Sequence, residues 1–265
     1  MSLNNIRIVL MNTSHPGNIG SAARAMLTMG LTDLYLVNPI HFPDEQANTM
    51  ASGADSVLEK ATVVTELQDA IADCHTVIGT SARDQRSIQW PLMDARECGE
   101  FVAARSSHSK IAIVFGRESS GLTNEELEQC QFLVSIPVNA NFSSLNIASA
   151  VQVLSYECAV ALKSHQQKRS YQQETQQSEK QPELVTTQGM DSFYQHLETT
   201  LIDLRYLDPE KPRLIMRKLR SIYGRMQLSA AELKLLRGIL SAAQGRKFMP
   251  REQRHNNNLS STQIK

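Results

Sequence analysis

The sequence predicts a parallel α/β domain followed by a small helical domain. Short apolar runs alternate with helical patterns over residues 1–165, which is typical of a parallel sheet with helices packed on it. Downstream of a glutamine-rich segment only helical patterns occur. The chain of 265 residues is long enough for one large domain or two modest ones, with a buried core.

The apolar runs are short and continuous, a pattern typical of strands that are buried on both faces. Between them lie amphipathic segments, including one that follows Asn18 and one that spans 144–163. Because parallel strands need a crossover connection, a helix is expected between successive strands. The predicted strands lie at 7–11, 33–37, 61–64, 76–80, 111–116 and 132–138.

Residues 164–189 contain eight glutamines and few large apolar side chains, so they have little to bury and predict a linker. Three helical patterns follow, near 191–204, 211–223 and 229–244, and the polar end from Pro250 predicts a disordered tail. The predicted division of the chain is an α/β domain at 1–165, a flexible linker at 166–189, a helical domain at 190–248 and a tail at 249–265.

The charges are unevenly spread, although 27 Lys and Arg balance 27 Asp and Glu. Residues 1–190 carry 13 basic and 20 acidic side chains, whereas residues 191–254 carry 13 basic and 7 acidic ones. This basic surplus of the helical domain predicts a nucleic acid or another anionic partner. A solvated helical surface with incidental charge is the open alternative.

The composition and the N-terminus together predict a soluble, cytoplasmic protein. No run approaches the roughly 18 continuous apolar residues of a membrane span, and the N-terminus lacks the pattern of a secretory leader. The cysteines show no C-x-x-C spacing, so we expect buried, reduced thiols and neither a disulfide framework nor a zinc module. They are Cys74, Cys98, Cys130 and Cys158.

Ligands of open α/β sheets collect at the carboxyl ends of the strands, and four loops there carry small or polar residues. In the first loop, 14–24, Asn18 is a candidate helix cap, and the N–H groups that follow can bind an anion. The second loop, 79–83, places small hydroxyl residues at the end of a buried strand. A plain helix cap and a simple strand exit remain open for these two loops.

The third loop, 115–124, reads FGRESSGLTN and sets two opposite charges, Arg117 and Glu118, between two glycines. It matches neither the phosphate P-loop nor the GxGxxG and GxSxG motifs. The fourth loop, 136–146, reads IPVNANFSSLN and leads into an apolar helix. Ser143 or Ser144 is a candidate N-cap there, which leaves Asn146, just inside the helix, without a structural role.

Taken together, NxGxxxR, FGxExxGL and IP followed by SSLN occur in this order at the ends of alternating strands. This constellation resembles the SPOUT superfamily of trefoil-knotted methyltransferases and, within it, the bacterial TrmJ family of tRNA (cytidine/uridine-2′-O-)-methyltransferases. The resemblance covers nearly the whole chain. It implies a deep trefoil knot at the end of the α/β domain and 2′-O-methylation of cytidine or uridine at the first nucleotide of the tRNA anticodon loop.

The resemblance implies S-adenosylmethionine as the cofactor, held in the knot loops mainly by backbone groups, and no metal. Small residues at strand ends agree with this, because they let main-chain N–H and C=O groups reach a ligand. By motif matching, the cofactor-binding residues are Thr80, Ser81, Ala82, Gly116, Ile136, Ser143, Ser144 and Leu145.

Arg24 matches the family's motif arginine, and we expect it to position the 2′-hydroxyl group and to stabilise charge, since a guanidinium is a poor base. Glu118 is expected to orient an arginine, and Asn146 or Ser144 to align the substrate or the loop. His15 lies outside the motif and is left out of the site. The implied catalytic residues are Arg24, Ser144, Asn146, Asn18 and Glu118.

The resemblance also implies a homodimer, with the helix after SSLN near the interface, and tRNA as the partner. Phosphate contacts are expected from a basic cluster of the helical domain, consisting of Arg213, Arg217, Lys218, Arg220 and Arg225. Methylation at another tRNA or rRNA site and a nonenzymatic RNA-binding assembly factor remain the alternatives. A nucleotide-dependent oxidoreductase would need a glycine fingerprint after the first strand, where this chain has HPGNIGSA.

Overall fold

A computed structural model of the chain describes residues 3–81, 90–139, 141, 144–172, 184–210 and 214–245. Within these ranges, seven strands form one parallel sheet in the order β3-β2-β1-β6-β4-β7-β5. The predicted parallel sheet is therefore confirmed. The strands are β1 Ile6–Met11, β2 Asp33–Val37, β3 Thr62–Val64, β4 Thr76–Thr80, β5 Leu92–Asp94, β6 Ile111–Phe115 and β7 Phe132–Ser135.

Helices cover both faces of the sheet, and two apolar cores lie beneath them. One core packs α1, α2, α3, α5 and α7 on the first face, and the other packs α4 and α6 on the second. The helices are α1 Pro16–Thr28, α2 Glu45–Ala51, α3 Asp55–Glu59, α4 Leu67–Ile71, α5 Ala95–Arg105, α6 Asn124–Leu127, α7 Ile147–Gln172, α8 Thr187–Asp203, α9 Ile215–Arg225 and α10 Ala230–Ala243.

The long helix α7 packs between α1 and α5, which brings the end of the α/β region back against its beginning. Gly99 of α5 makes this approach possible, because a Cβ there would lie 2.7 Å from the carbonyl carbon of Glu157. This close approach packs α7 directly against α5.

The structure corrects the sequence prediction at the edges of the sheet. Strand β5 was not predicted, since three residues are too few to form a recognisable apolar run. Strand β3 is not buried on both faces, and Val63 is 51% exposed, because β3 is an edge strand. The last two predicted strands end earlier than expected, at Phe115 and Ser135.

The predicted linker is shorter than expected at both ends. Helix α7 continues to Gln172 and α8 already begins at Thr187. The glutamines, lysine and arginine beyond residue 165 have straight side chains that favour helix, and an exposed helix needs no apolar face. A low apolar content therefore predicts only that a segment buries few side chains. A solvated helix meets this condition as well as a coil does.

The last three helices share a core formed by Phe193, Leu197, Leu228 and Leu233 among others. They contact the amino edge of the sheet, opposite the strand ends that carry the motif loops. The Thr187 backbone N–H and hydroxyl both donate to the Cys74 carbonyl, at 2.7 and 2.9 Å. Gln227 Nε2 donates to Thr76 Oγ1 at 3.0 Å.

All four cysteines are buried and free of disulfide bonds, as predicted. Burial raises the pKa of Cys74, Cys98 and Cys130 to about 12, so these thiols stay protonated and unreactive at neutral pH. Within the described ranges, no group of three or more His, Cys, Asp or Glu residues is placed to hold a metal ion. No helix among the described residues is long and apolar enough to cross a membrane.

Candidate active site

Three of the motif loops meet at the carboxyl edge of the sheet because β6, β4 and β7 are neighbours. Thr80, Gly116 and Ile136 lie at or directly after the ends of these strands, and each is partly exposed. Ser81 is buried, and its backbone N–H donates to the Val134 carbonyl at 2.9 Å. Ala82 and Ser143 lie outside the described residues.

The loop after β6 folds back on itself. Arg117 and Gly121 exchange two backbone hydrogen bonds, of 3.1 and 2.9 Å, and Gly121 has a φ of +72°. A Cβ on Gly116 would lie 2.1 Å from the carbonyl carbon of Gly121, so only glycine fits this turn. The tight turn lifts Glu118 towards the start of α1.

Glu118 binds the start of α1. Its carboxylate accepts hydrogen bonds from the backbone N–H groups of Ser14 at 3.3 Å and His15 at 3.4 Å, and from Asn18 Nδ2 at 3.1 Å. Partial burial raises the pKa of this carboxyl, but the bonds from Asn18 and from the backbone outweigh burial and lower it below the ordinary value. In the described contacts Glu118 orients Asn18 and not an arginine, which corrects the expectation from sequence.

Asn18 and Asn146 join the two helices that flank this loop. Asn146 Nδ2 donates to Asn18 Oδ1 at 3.0 Å, although the two residues lie 128 positions apart. Asn146 Oδ1 accepts from the backbone N–H groups of Ala148 at 2.9 Å and Ser149 at 3.4 Å, so Asn146 is the N-cap of α7.

Two capping predictions were therefore wrong. Asn18 does not cap α1, because the helix begins two residues earlier at Pro16, with His15 in the N-cap position and proline in the first turn. Asn146, and not Ser144, caps α7; the other candidate, Ser143, lies outside the described residues. Asn146 therefore has a structural role that its sequence position did not reveal. Its side-chain oxygen caps α7, and its side-chain NH2 group donates to Asn18.

Arg24 is exposed in the middle of α1, and no described residue hydrogen-bonds its guanidinium. Ser144 and Leu145 are also exposed, directly before the N-cap of α7. The structure thus brings Glu118, Asn18 and Asn146 into one hydrogen-bonded cluster. Arg24, which lies on the same helix as Asn18, remains exposed to solvent.

Comparison with known proteins identifies the family of the chain. The SpoU rRNA Methylase family model matches residues 5–156, and the model of the tRNA methyltransferase TrmJ C-terminal domain matches residues 188–257. The chain belongs to the SpoU methylase family. The expected class, a methyltransferase that depends on S-adenosylmethionine, is confirmed by this membership.

Similar proteins place the chain in the TrmJ group of the SpoU methylase family. The tRNA (cytidine/uridine/adenosine-2′-O-)-methyltransferase TrmJ of Pseudomonas aeruginosa is 50% identical over 244 residues, covering 91% of this chain and 95% of the relative. The tRNA (cytidine/uridine-2′-O-)-methyltransferase TrmJ of Yersinia pestis is 48% identical, with 91% of each chain covered. The crystal structure of TrmJ from Z. mobilis superposes with a TM-score of 0.75 at 32% identity, covering 89% of this chain and 97% of that one.

Helix α9, within the region that matches the TrmJ C-terminal model, carries most of the predicted RNA-binding cluster. Arg217 forms an ion pair with Glu128, at the end of α6. Arg220 pairs with Asp191 at 2.9 Å and lies over the Tyr194 ring.

Lys218 and Arg225 are exposed, and neither has an ion-pair partner among the described residues. Arg213 lies outside those ranges. Two of the five predicted residues therefore already have partners within the chain, and two present their charge to solvent.

Sequence reasoning missed Arg117 as part of the site. Its guanidinium donates to both carboxylate oxygens of Glu126 at 3.0 Å and to Asn12 Oδ1 at 2.6 Å. One signal was available, since Thr123-x-x-Glu126 is a capping-box sequence and the structure contains that box. The partner Asn12, 105 positions away, left no local signal.

Proposed function

We propose that the chain transfers a methyl group from S-adenosylmethionine to the ribose 2′-oxygen of cytidine or uridine at the first nucleotide of the tRNA anticodon loop. The observation that carries this proposal is the Glu118–Asn18–Asn146 cluster, which joins three motif loops at one edge of the sheet. The TrmJ relatives, which are named as tRNA 2′-O-methyltransferases, support the substrate class. A tRNA substrate also fits the expected cytoplasmic location.

The strand ends fit the cofactor. Thr80, Gly116 and Ile136 are small or aliphatic, partly exposed and on three adjacent strands, so their backbone groups can bind an adenine and a ribose. Leu145 is 40% exposed and can cover an apolar ring. We infer that these residues, together with Ser81, Ala82, Ser143 and Ser144, hold S-adenosylmethionine, which supplies an electrophilic methyl group on a sulfonium.

In the proposed reaction the 2′-oxygen would bond to the methyl carbon while the carbon–sulfur bond breaks with its electron pair left on sulfur, and the hydroxyl proton would pass to solvent water. Arg24 is exposed and unpaired among the described residues, so its guanidinium can bind the phosphate beside the reactive ribose and align the 2′-oxygen. A guanidinium cannot take up the proton at neutral pH, which limits Arg24 to positioning and charge stabilisation.

The polar cluster orients the groups around the ribose. Glu118 is a weak base because its pKa is lowered, and we assign it to holding the start of α1. Asn18 and Asn146 fix α1 against the N-terminus of α7. Ser144 is exposed three residues before α7 begins at Ile147, where its hydroxyl can contact the substrate.

For tRNA binding we propose Lys218 and Arg225 as the first phosphate contacts, since both are exposed and unpaired within the described ranges. Arg213 extends the same basic sequence. Arg217 and Arg220 can bind phosphate only by exchanging Glu128 and Asp191 for it. Their contribution to affinity is therefore expected to be smaller.

We also propose the trefoil knot and a homodimer. Helix α7 returns between α1 and α5 after the chain has passed through β7, which supports a threaded path at this end of the domain. On α7, Tyr156 is 51% and Val160 is 40% exposed, and these two residues lie one turn apart. An apolar pair on a solvent-facing helix supports burial against a second copy.

Methyl transfer from labelled S-adenosylmethionine to bulk unmodified tRNA tests the proposed function. The tRNA is digested after the reaction, and mass spectrometry identifies the modified nucleoside and its position. We expect 2′-O-methylcytidine or 2′-O-methyluridine from the anticodon loop, lost in Arg24→Ala with cofactor binding retained. Arg96→Ala is the matched control, because the Arg96 side chain is 79% exposed in α5. Methylation at another tRNA position, or of rRNA offered in a parallel reaction, would show that the proposed target nucleotide is wrong. Binding of tRNA without methylation would favour a nonenzymatic role.

A further inference from the structure

Arg117 and Glu118 hold the same short segment of chain from its two ends. Arg117 Nη2 donates to Asn12 Oδ1 at 2.6 Å, at the point where β1 ends. Glu118 accepts from the backbone of Ser14 and His15, where α1 is about to begin. Residues 12–15, which connect β1 to α1, are therefore fixed to the loop after β6 by two adjacent side chains of opposite charge.

The guanidinium of Arg117 is itself held firmly. It forms a two-bond fork with Glu126, both bonds being 3.0 Å, and Glu126 Oε2 also accepts from the Thr123 backbone N–H at 2.8 Å. The Arg117 side chain is 29% exposed and that of Glu126 is 12% exposed, so solvent screens this pair only in part. Nη2 donates one of its two hydrogens to Glu126, and its other hydrogen is directed at Asn12 Oδ1.

Asn12 is a suitable anchor point. Its φ of +48° turns the chain sharply out of β1, and its backbone N–H still donates to the Val37 carbonyl of β2 at 2.8 Å. Asn12 is therefore fixed on its strand side by the sheet and on its loop side by Arg117. Movement of this residue would move the start of α1, which carries Asn18 and Arg24.

We propose that Arg117 is a positioning residue for methyl transfer, which fixes the β1–α1 connection against the loop after β6 so that α1 presents Asn18 and Arg24 correctly. This inference rests on the proposed function. The shape of arginine matters as much as its charge, because one planar group has to bind Glu126 in a fork and reach Asn12 as well. A lysine ammonium is a single point of charge and cannot bridge the same three oxygen atoms.

The test compares Arg117→Lys, Asn12→Gly and the double variant. Glycine tolerates the left-handed backbone at position 12, so Asn12→Gly removes the side-chain contact without straining the turn. Asn38→Gly is its matched control, because Asn38 directly follows β2 with a similar φ of +45°. Arg105→Lys is the control for Arg117→Lys, since Arg105 is a partly buried arginine on α5.

Each variant is assayed for kcat, for KM of both substrates and for thermal midpoint. We expect kcat of Arg117→Lys and Asn12→Gly to fall about 10- to 100-fold, with KM within about threefold, because a misplacement near 1 Å has this effect on rate. The double variant should lose no more than the worse single variant, since both remove the same contact. Both controls should keep wild-type kcat. Unchanged kcat, or a loss of kcat that only follows a fall in folded protein, would overturn the proposal.

Amide hydrogen exchange separates this inference from the proposed function. In Arg117→Lys we expect exchange at residues 12–15 to rise about tenfold, with β2 and α5 unchanged. If the wild-type protein methylates no tRNA, the proposed function fails, and faster exchange at 12–15 would still support anchoring by Arg117. Exchange equal to wild type at these amides would reject anchoring whatever the activity.

Discussion

The two edges of the sheet use charged side chains in opposite ways. At the amino edge Arg7 is only 3% exposed, and it donates to Asp33 at 2.9 Å and to Asp73 at 2.6 Å while lying over the Tyr35 ring. Lys110 binds the same Asp73 at 2.6 Å. Each charge in this cluster has a charged partner inside the chain.

In the Glu118–Asn18–Asn146 cluster at the carboxyl edge, the polar groups are bound to neutral partners and stay open to solvent, whereas the neighbouring Arg117 is paired with Glu126. Glu118 is exposed and accepts from amides, and Asn18 and Asn146 bind each other. Arg24 has no partner among the described residues. A charge that is already paired stabilises the fold, whereas a charge left unpaired at the surface is available to a substrate. The comparison therefore predicts that substitutions at the amino edge affect stability and those at the carboxyl edge affect turnover.

The largest expected effect is on stability, from Arg7→Met. The substitution keeps an apolar stem but leaves Asp33 without its cation and Asp73 with Lys110 alone. We expect the free energy of unfolding to fall by about 3 kcal/mol, the lower end for breaking a buried pair, because both carboxylates are partly exposed. Urea denaturation followed by the fluorescence of the single tryptophan, Trp90, measures it. Activity per folded molecule should not change, and a selective loss of kcat would contradict the division between the edges.

At the carboxyl edge, Glu118→Gln should produce the reverse pattern. The glutamine keeps the shape, but it replaces a charged acceptor of hydrogen bonds from the Ser14 backbone and Asn18 with a neutral amide. We expect kcat to fall about 100-fold and the free energy of unfolding to change by no more than about 1 kcal/mol. Steady-state kinetics and urea denaturation on the same preparation measure both. Equal losses in stability and activity would show that Glu118 is only structural.

The strands of this fold could be predicted from sequence because their signal is local. Five of the six apolar runs match strands to within one residue at each end, as at 76–80. The contact between Asn18 and Asn146 could not be predicted, because it spans 128 positions and depends on which strands are neighbours. Motif matching placed both residues in the site, but only their geometry shows that Asn146 caps α7 and binds Asn18 at once.

For the same reason, the contacts of Arg117 could not be predicted from the sequence. The sequence places an arginine directly before a glutamate, and two adjacent opposite charges suggest an ion pair between them. In the structure each binds elsewhere, Arg117 to Asn12 and Glu126, and Glu118 to the start of α1. Side chains of adjacent residues in a tight turn point in different directions, so charge adjacency in sequence is a poor guide to pairing.

A smaller effect is expected from a change of pH, which alters the free energy of unfolding through Asp73 at the amino edge. Burial raises the pKa of Asp73, but hydrogen bonds from Arg7 and Lys110 outweigh it and lower the value from 3.8 to about 2. Stabilisation by Asp73 is therefore complete above pH 3.8 and is lost as the pH falls through 2. About half of the Asp73 side chain is exposed. Solvent screening therefore reduces its contribution to the free energy of unfolding to about 1 kcal/mol.

The difference in unfolding free energy between wild type and Asp73→Asn, measured from pH 5 down to pH 2, isolates this group from other carboxylates. The difference should shrink towards low pH. A constant difference over this range would show that Asp73 does not have a lowered pKa.

The smallest expected effects concern the exposed cations of α9, Lys218 and Arg225. Each neutralises at most one phosphate in water, so replacing either with alanine should weaken tRNA binding only a few-fold and reduce the salt slope by about one. Arg220→Ala is the informative comparison, because Arg220 is paired with Asp191 and lies over Tyr194. We expect Arg220→Ala to lower stability and to leave the salt slope nearly unchanged, as measured by filter binding at several salt concentrations. If Arg220→Ala reduces the slope as much as Lys218→Ala does, the paired arginine exchanges its carboxylate for phosphate on binding, and pairing within the chain does not decide which cations contact RNA.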